Sequence, residues 1–162
     1  MLEINIRPDA DENYYLLQSA IKAHLQDETD LIANFANIAS FIYCTLPDVS
    51  WAGFYLVQDD VLVLGPFMGK PACTRIPFGK GVCGHVAATL QTVIIPNVHE
   101  FEGHIACDWD TNSEIVLPLF RKGKLFGVLD VDSVSFDRFK EEDVAGLSKI
   151  AAAINEYLDT LN

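Results

Sequence analysis

The stretch "EIVLPLFRKGKLFGVLDVDS", residues 114–133, decides the fold. Two runs rich in Ile, Val, Leu and Phe flank a polar Arg-Lys-Gly, the pattern of a β-hairpin. The turn can be built in two ways. A two-residue loop at Lys122 and Gly123 sets Ile115 opposite Asp130. A three-residue loop with Gly123 left-handed, making a bulge, sets Phe120 opposite Lys124, Glu114 opposite Asp130 and Ile115 opposite Leu129. The second register sorts the side chains better, and sorting fixes register where one face is buried. It gives one apolar face of Ile115, Leu117, Leu119, Leu125, Leu129 and Val131. The other face carries Glu114, Asp130 and Asp132 at one end, because i and i+2 share a face. Three carboxylates on one patch repel one another. At least one should have a raised pKa, unless a cation sits among them. The arrangement suits a solvated sheet end, or a site for an ammonium group, a proton or a metal ion.

Outward from the hairpin, "VSWAGFYLV" (49–57) reads as a strand, "QDD" as a turn and "VLVLGPF" (61–67) as the returning strand. Trp51, Gly53 and Tyr55 share one face, and Ala52, Phe54 and Leu56 the other. Aromatics with a polar tip, spaced by a glycine, can wall a small pocket or fill a core. "ACTRIPF" and "TVIIP" are short strands, and "GKGVCGHVAATL" is a glycine loop feeding a short helix. Residues 96–113 form a long loop, a length that is usually functional or disordered. Helices are expected at about 10–25, with Asp9 capping and Glu12 three residues on, and at about 30–44, ended by Pro47 and Asp48. A last helix is expected at about 138–159, with Val144, Leu147, Ile150, Ile154 and Leu158 on one face and Glu141, Glu142 and Asp143 at its positive end. The order of elements predicts an α+β fold: a mainly antiparallel sheet of about six strands with helices packed on it.

The chain has 162 residues, half of them apolar, which suits a single domain over 1–162. A net charge of −12 argues against nucleic acid or an anionic membrane as partner and favours a small ligand. The N-terminus lacks a basic region followed by an apolar run, and no apolar stretch approaches the ~18 residues of a membrane helix. A cytoplasmic location is expected, where thiols are normally reduced.

Four cysteines are dispersed at 44, 73, 83 and 107, with no Cys-x-x-Cys pair. Cys44 closes a helix and reads as core. Cys107 lies among acids (Asp108, Asp110 and Glu114), which raise a thiol's pKa. It is either a small hydrophobe or a thiol whose chemistry uses those acids. "PFGKGVCGH" could present backbone N–H groups to an anion, but it is no Walker loop and lacks the dinucleotide fingerprint. His99, His104, Cys107 and Asp108 match no zinc spacing, so no metal is expected. His104 could serve Cys107 as a base, but nothing marks an oxyanion hole. His24 and His85 read as ordinary helical residues.

Taken together, "WAGFYL", "LVLGPFMGKPACTRIPFGKGVCG", "HIACD", "NSEIVLPL" and "GVLDVDS" resemble the free methionine-(R)-sulfoxide reductases, stand-alone domains of the GAF fold. The resemblance spans about residues 30–155, leaves Cys44 without a counterpart and fits the N-terminal helix poorly. It implies that Cys107 is the nucleophile on the sulfoxide sulfur and becomes a sulfenic acid. It implies that Cys73 closes a disulfide on it, that thioredoxin reduces that bond, and that Cys83 is accessory. Glu114, Asp130 and Asp132 are then the residues that bind the substrate's amino group and protonate its oxygen. Trp51 walls the S-methyl group, with Tyr55 nearby. No metal or organic cofactor is expected, and a homodimer is. The competing expectations are a ligand-sensing GAF module and a thiol redox switch without sulfoxide turnover.

Overall fold

The computed structural model describes residues 10–162; the Asp9 cap lies outside the described residues. Helices α1 (Ala10–Asp27) and α2 (Leu31–Thr45) precede strands β1 (Trp51–Gln58), β2 (Val61–Met68) and β3 (Arg75–Pro77). Helix α3 (Gly81–Thr89), strand β4 (Val93–Ile95) and a 3-10 turn at Val98–Glu100 follow. Strands β5 (Ser113–Arg121) and β6 (Lys124–Ser133) and helix α4 (Glu141–Thr160) complete the chain. Helix α2 starts where the Asp30 carboxylate accepts from the Ala33 N–H at 2.8 Å, satisfying one orphan donor of the first turn. Among the described residues no helix is long and apolar enough to cross a membrane.

The six strands form one antiparallel sheet in the order β3-β2-β1-β6-β5-β4. Period-2 alternation splits its side chains between two cores. Ala52, Phe54, Ile115, Leu117, Leu119, Leu129 and Val131 face α1, α2 and α4. Phe35 of α2, wholly buried, stacks on Phe54 with ring centroids 4.1 Å apart. On the other face Tyr55, Val116 and Val128 meet Val82 and Val86 of α3. Both faces are therefore covered, and on the α3 face Glu114 and Asp130 are buried although they are polar.

The hairpin register differs from the expected one. Arg121 pairs with Lys124, so the turn is the two-residue one, with Lys122 at φ 49° and Gly123 at φ 77°. Two consecutive positive φ angles match the twist of the flanking strands, and Gly123 adopts one freely. The bulge lies one turn later: Phe120 pairs with Leu125 but Leu119 with Gly127, leaving Phe126 as the extra residue. An extra residue reverses the alternation. Phe126 therefore packs on the helix-covered core and Leu125 on the opposite one, which corrects the expected place of Leu125. Glu114 pairs with Asp132 and Val116 with Asp130. The sorting of acids from apolar residues survives because the bulge restores what the shorter turn would have broken.

Cys44 is exposed rather than core. It lies two residues after the buried Ile42, about 200° around the helix, and so faces away from the sheet.

Helix α4 is tied to α1 by a buried polar knot. The Tyr14 hydroxyl donates to Asp143 at 2.7 Å, and Arg138 pairs with the same carboxylate at 3.1 Å. That carboxylate also accepts from the Lys140 N–H at 2.8 Å, capping the helix.

Candidate active site

The α3 face of β1, β6 and β5 builds the site in rows. Trp51, Asp132 and Glu114 lie side by side across the three strands, and Gly53, Asp130 and Val116 form the next row. Gly53 puts no side chain beside Asp130 on the β1 side, and the Trp51 ring uses that room. A Cβ on Gly53 would lie 2.7 Å from the Trp51 ring and 2.4 Å from Phe67 Cβ. Trp51 is held by a stack on Phe67, centroids 5.2 Å apart, and by its indole N–H donating to Lys70 O at 3.0 Å. Helix α3 closes the floor with Cys83, whose thiol donates toward Glu114 at 3.8 Å.

Loop 103–112 forms the rim. It carries Cys107, which is joined to Cys73 by a disulfide with Cα atoms 5.3 Å apart. The Tyr55 hydroxyl donates to Cys73 O at 2.9 Å, tying that cysteine's loop to β1. Lys70 pairs with Asp108 and Asp110, a second tie between the two loops. The result is a partly enclosed hollow of about 540 Å³, its open mouth included. Trp51, Tyr55, Cys83, Cys107, Glu114, Asp130 and Asp132 all line it. Cys73 lies behind the rim, reaching the hollow only through its bond to Cys107. Cys73, Cys83, Cys107, Glu114, Asp130, Asp132, Trp51 and Tyr55 thus lie together, whereas His99 is not among the residues that line the hollow.

The acids are the unusual part. Glu114 and Asp130 are buried, 7% and 6% exposed. Asp132 is half-buried, but its Oδ1 is sealed from solvent, and neither that atom nor Asp130 Oδ1 has a hydrogen-bond partner. Burial is the main cause that raises all three carboxyls, since it penalises the charged form. It pushes Asp130 up to about 6. For Glu114 and Asp132 the neighbouring acids add to it and push both well above the carboxylate range. The hollow therefore holds protons at pH 7. Burial and the same acids push the Cys83 thiol well up. Cys83 stays protonated and is a poor attacker. Burial and then the acids raise Tyr55 too, so it remains a phenol and a donor.

Among the described residues, donor atoms of Cys83, Glu114 and Asp130 lie within 4.8 Å of one another and could hold a cation. The His99, His104, Cys107 and Asp108 set does not assemble as a metal site. His99 hydrogen-bonds Asn112 at 2.8 Å and Cys107 is oxidised. Sequence reasoning missed Thr111, a buried hydroxyl lining the hollow, and treated His104 only as a base or a ligand. Neither residue had a pattern to show it, because a loop has no period that says which side chains turn inward.

The GAF domain family matches residues 29–158. A free methionine-R-sulfoxide reductase of Escherichia coli (strain K12) is 50% identical over 149 residues, 92% of this chain and 90% of its own length. A free methionine-R-sulfoxide reductase of Saccharomyces cerevisiae is 44% identical over 137 residues, 80% of this chain and 76% of its own. The fold is also that of the X-ray structure of free methionine-R-sulfoxide reductase from Neisseria meningitidis in complex with its substrate. That likeness has a TM-score of 0.93 and 40% identity, covering 98% of this chain and 96% of that one. The hairpin, the buried acids and the disulfide at the rim sit on a scaffold shared along nearly the whole chain, and this protein belongs to the free methionine-R-sulfoxide reductases, a family of GAF domains.

Proposed function

We propose that this chain reduces free methionine-(R)-sulfoxide to methionine, with Cys107 as nucleophile and Cys73 as the resolving thiol. The observation that carries the reading is the disulfide between them, placed at the rim of a hollow crowded with protonated acids. The E. coli and yeast relatives bear the name of that activity.

The reduced Cys107 sulfur attacks the sulfoxide sulfur. The sulfoxide oxygen passes to Cys107 as a sulfenic acid and methionine leaves, so the substrate sulfur gains two electrons and the cysteine sulfur loses them. Cys73 then attacks the sulfenic sulfur, water leaves and the disulfide forms. A dithiol donor of the thioredoxin type returns both thiols and is itself oxidised to a disulfide. The two electrons travel through sulfur throughout, and the scheme uses no metal or organic cofactor.

Sulfoxide oxygen leaves poorly until it is protonated, and a buried acid that keeps its proton near neutral pH can supply one. The crowded Glu114, Asp130 and Asp132 have that property from burial and mutual repulsion. The acids not used for the proton pair with the substrate's ammonium group, a charge-assisted bond that partly neutralises the cluster. Trp51 walls the S-methyl group. Tyr55 positions the Cys73 loop through its bond to Cys73 O. Cys83, kept as a thiol, donates to Glu114 and is accessory. The enzyme works as a homodimer in the cytoplasm, where thioredoxin is reduced.

Product analysis with both sulfoxide epimers, free and peptide-bound, with thioredoxin and its reductase as electron source, tests the reading. Methionine should form from the free R epimer alone. Equal turnover of peptide-bound sulfoxide would overturn the free-substrate assignment. Tight cyclic-nucleotide binding with no turnover would instead make the chain a sensor. Peroxide-driven disulfide formation with no sulfoxide turnover would make it a redox switch.

A further inference from the structure

Cys83 is a buried thiol that makes and breaks no bond in the sulfoxide scheme. It is 4% exposed, sits in the first turn of α3 and lines the hollow. Its Sγ, one oxygen of Glu114 and one of Asp130 all lie within 4.8 Å of one another. Among the described residues this is the one such group of three metal-ligating side chains. A second observation points to a ligand at the same place. Asp130 is 6% exposed, lines the hollow, and its Oδ1 has no hydrogen-bond partner. Asp132 Oδ1 is sealed and unpartnered as well. Buried polar atoms are nearly always paired, so two orphaned acceptors on one hollow mark where a cation completes the bonding.

The donor set selects the ion. Magnesium and calcium are hard ions that take oxygen ligands, and a thiolate suits neither. Zinc binds thiolate sulfur and carboxylate oxygen together, and it accepts three protein ligands with a fourth position open. At zinc bond lengths, tetrahedral donors stand roughly 3.3–3.8 Å apart. Cys83 Sγ and the Glu114 oxygen are already 3.8 Å apart, so small side-chain rotations close the set. The ion replaces the thiol proton, which leaves to water. The substrate's ammonium group pairs with the same carboxylates, so ion and substrate exclude each other.

We propose that Cys83, Glu114 and Asp130 bind a thiophilic divalent ion of the zinc class, and that this ion inhibits the enzyme reversibly by taking the place of the substrate's ammonium group. The ion site stands on the geometry alone. The inhibition rests on the reading of the chain as a free methionine-(R)-sulfoxide reductase. The disulfide leaves the site intact, because neither Cys73 nor Cys107 is one of its ligands.

The test uses cobalt(II) and zinc on the oxidised protein carrying Cys44→Ser. The closed disulfide and that substitution leave Cys83 as the free thiol. Cobalt should bind once per chain with a near-ultraviolet thiolate-to-cobalt charge-transfer band, and zinc should displace it. Magnesium in hundredfold excess should leave the band unchanged. Cys83→Ser should abolish the band. Glu114→Gln and Asp130→Asn should each weaken zinc roughly tenfold or more, at least what the loss of an outer-shell partner costs, read by competition with a chelating dye. No band in the oxidised protein, displacement by magnesium, or unchanged zinc affinity in Asp130→Asn overturns the site. For the inhibition, reduced protein is mixed with free methionine-(R)-sulfoxide and no thioredoxin. Zinc should slow release of the first methionine, and more sulfoxide should relieve it. Equal inhibition of Cys83→Ser puts the inhibiting ion at the other thiols and overturns the proposal, as does inhibition that substrate does not relieve. A cobalt band in a protein that reduces no sulfoxide overturns the reductase reading and leaves the ion site standing.

Discussion

Replacing Asp130 by Asn should make the protein more stable at neutral pH. Asp130 is buried beside Glu114 and Asp132 with one oxygen unpartnered. Burial holds its carboxyl at about 6, against an ordinary 3.8. The unfolded chain releases this proton near pH 4, and the folded chain keeps it until near pH 6. Below pH 4 both states are protonated and the group has no effect on stability. Between the two values the folded state binds more protons, so stability falls as pH rises. One pH unit is worth about 1.4 kcal/mol, so the loss levels off at ~3 kcal/mol above pH 6. An amide in the same place carries no such term, and it relieves Glu114 and Asp132 of a neighbouring charge. Urea unfolding of wild type and Asp130→Asn at pH 4 to 8 measures the difference directly. The two curves should meet near pH 4 and separate by ~3 kcal/mol at pH 7.5. For a chain of this length the melting temperature should rise by roughly 6–12 °C. A variant no more stable than wild type at pH 7.5, with a parallel pH profile, would show that Asp130 ionises freely. Asp130 itself would then have no proton to offer near neutral pH.

Cys73→Ser should still form the first equivalent of methionine but should not cycle with thioredoxin; steady turnover at the wild-type rate would remove Cys73 as resolver. Gly53→Ala sets a Cβ 2.7 Å from the Trp51 ring and 2.4 Å from Phe67 Cβ. It should displace the indole, lower stability by about 1–3 kcal/mol and raise KM, read by unfolding and by kinetics; an unchanged KM would take Trp51 out of the binding wall. Gly146→Ala meets the Tyr14 ring at 2.2 Å. It should destabilise the α1–α4 contact by a similar ~1–3 kcal/mol while leaving kcat/KM within about twofold, and full stability would mean that α1 yields without cost.

Much of the sheet was readable from alternation. Trp51, Gly53 and Tyr55 had to share a face, as did Asp130 and Asp132, because a strand has period 2. What alternation could not place was the break in it. Sorting of side chains demanded one irregularity between Leu119 and Leu129 and did not say where. The irregularity is at Phe126 and not at Gly123, because a bulge inside a strand leaves no turn residue to announce it. Cys44 was misplaced for a similar reason: hydrophobicity suggested burial, while helical phase sets it about 200° from Ile42. The pairing of Cys73 with Cys107 came from resemblance, since spacing alone allows any pair. His104 and Thr111 face the hollow by virtue of loop geometry, and that geometry is set by the tertiary bonds of Asn112, Lys70 and the disulfide.

The central claim is that one sulfoxide oxidises one pair of thiols at this hollow. Fully reduced protein, mixed with excess free methionine-(R)-sulfoxide and no reductant, should release one methionine per chain and lose two thiols. Peptide mapping should find them joined as Cys73–Cys107, with Cys83 and Cys44 still free. No methionine, or a bond that includes Cys83, would contradict the account.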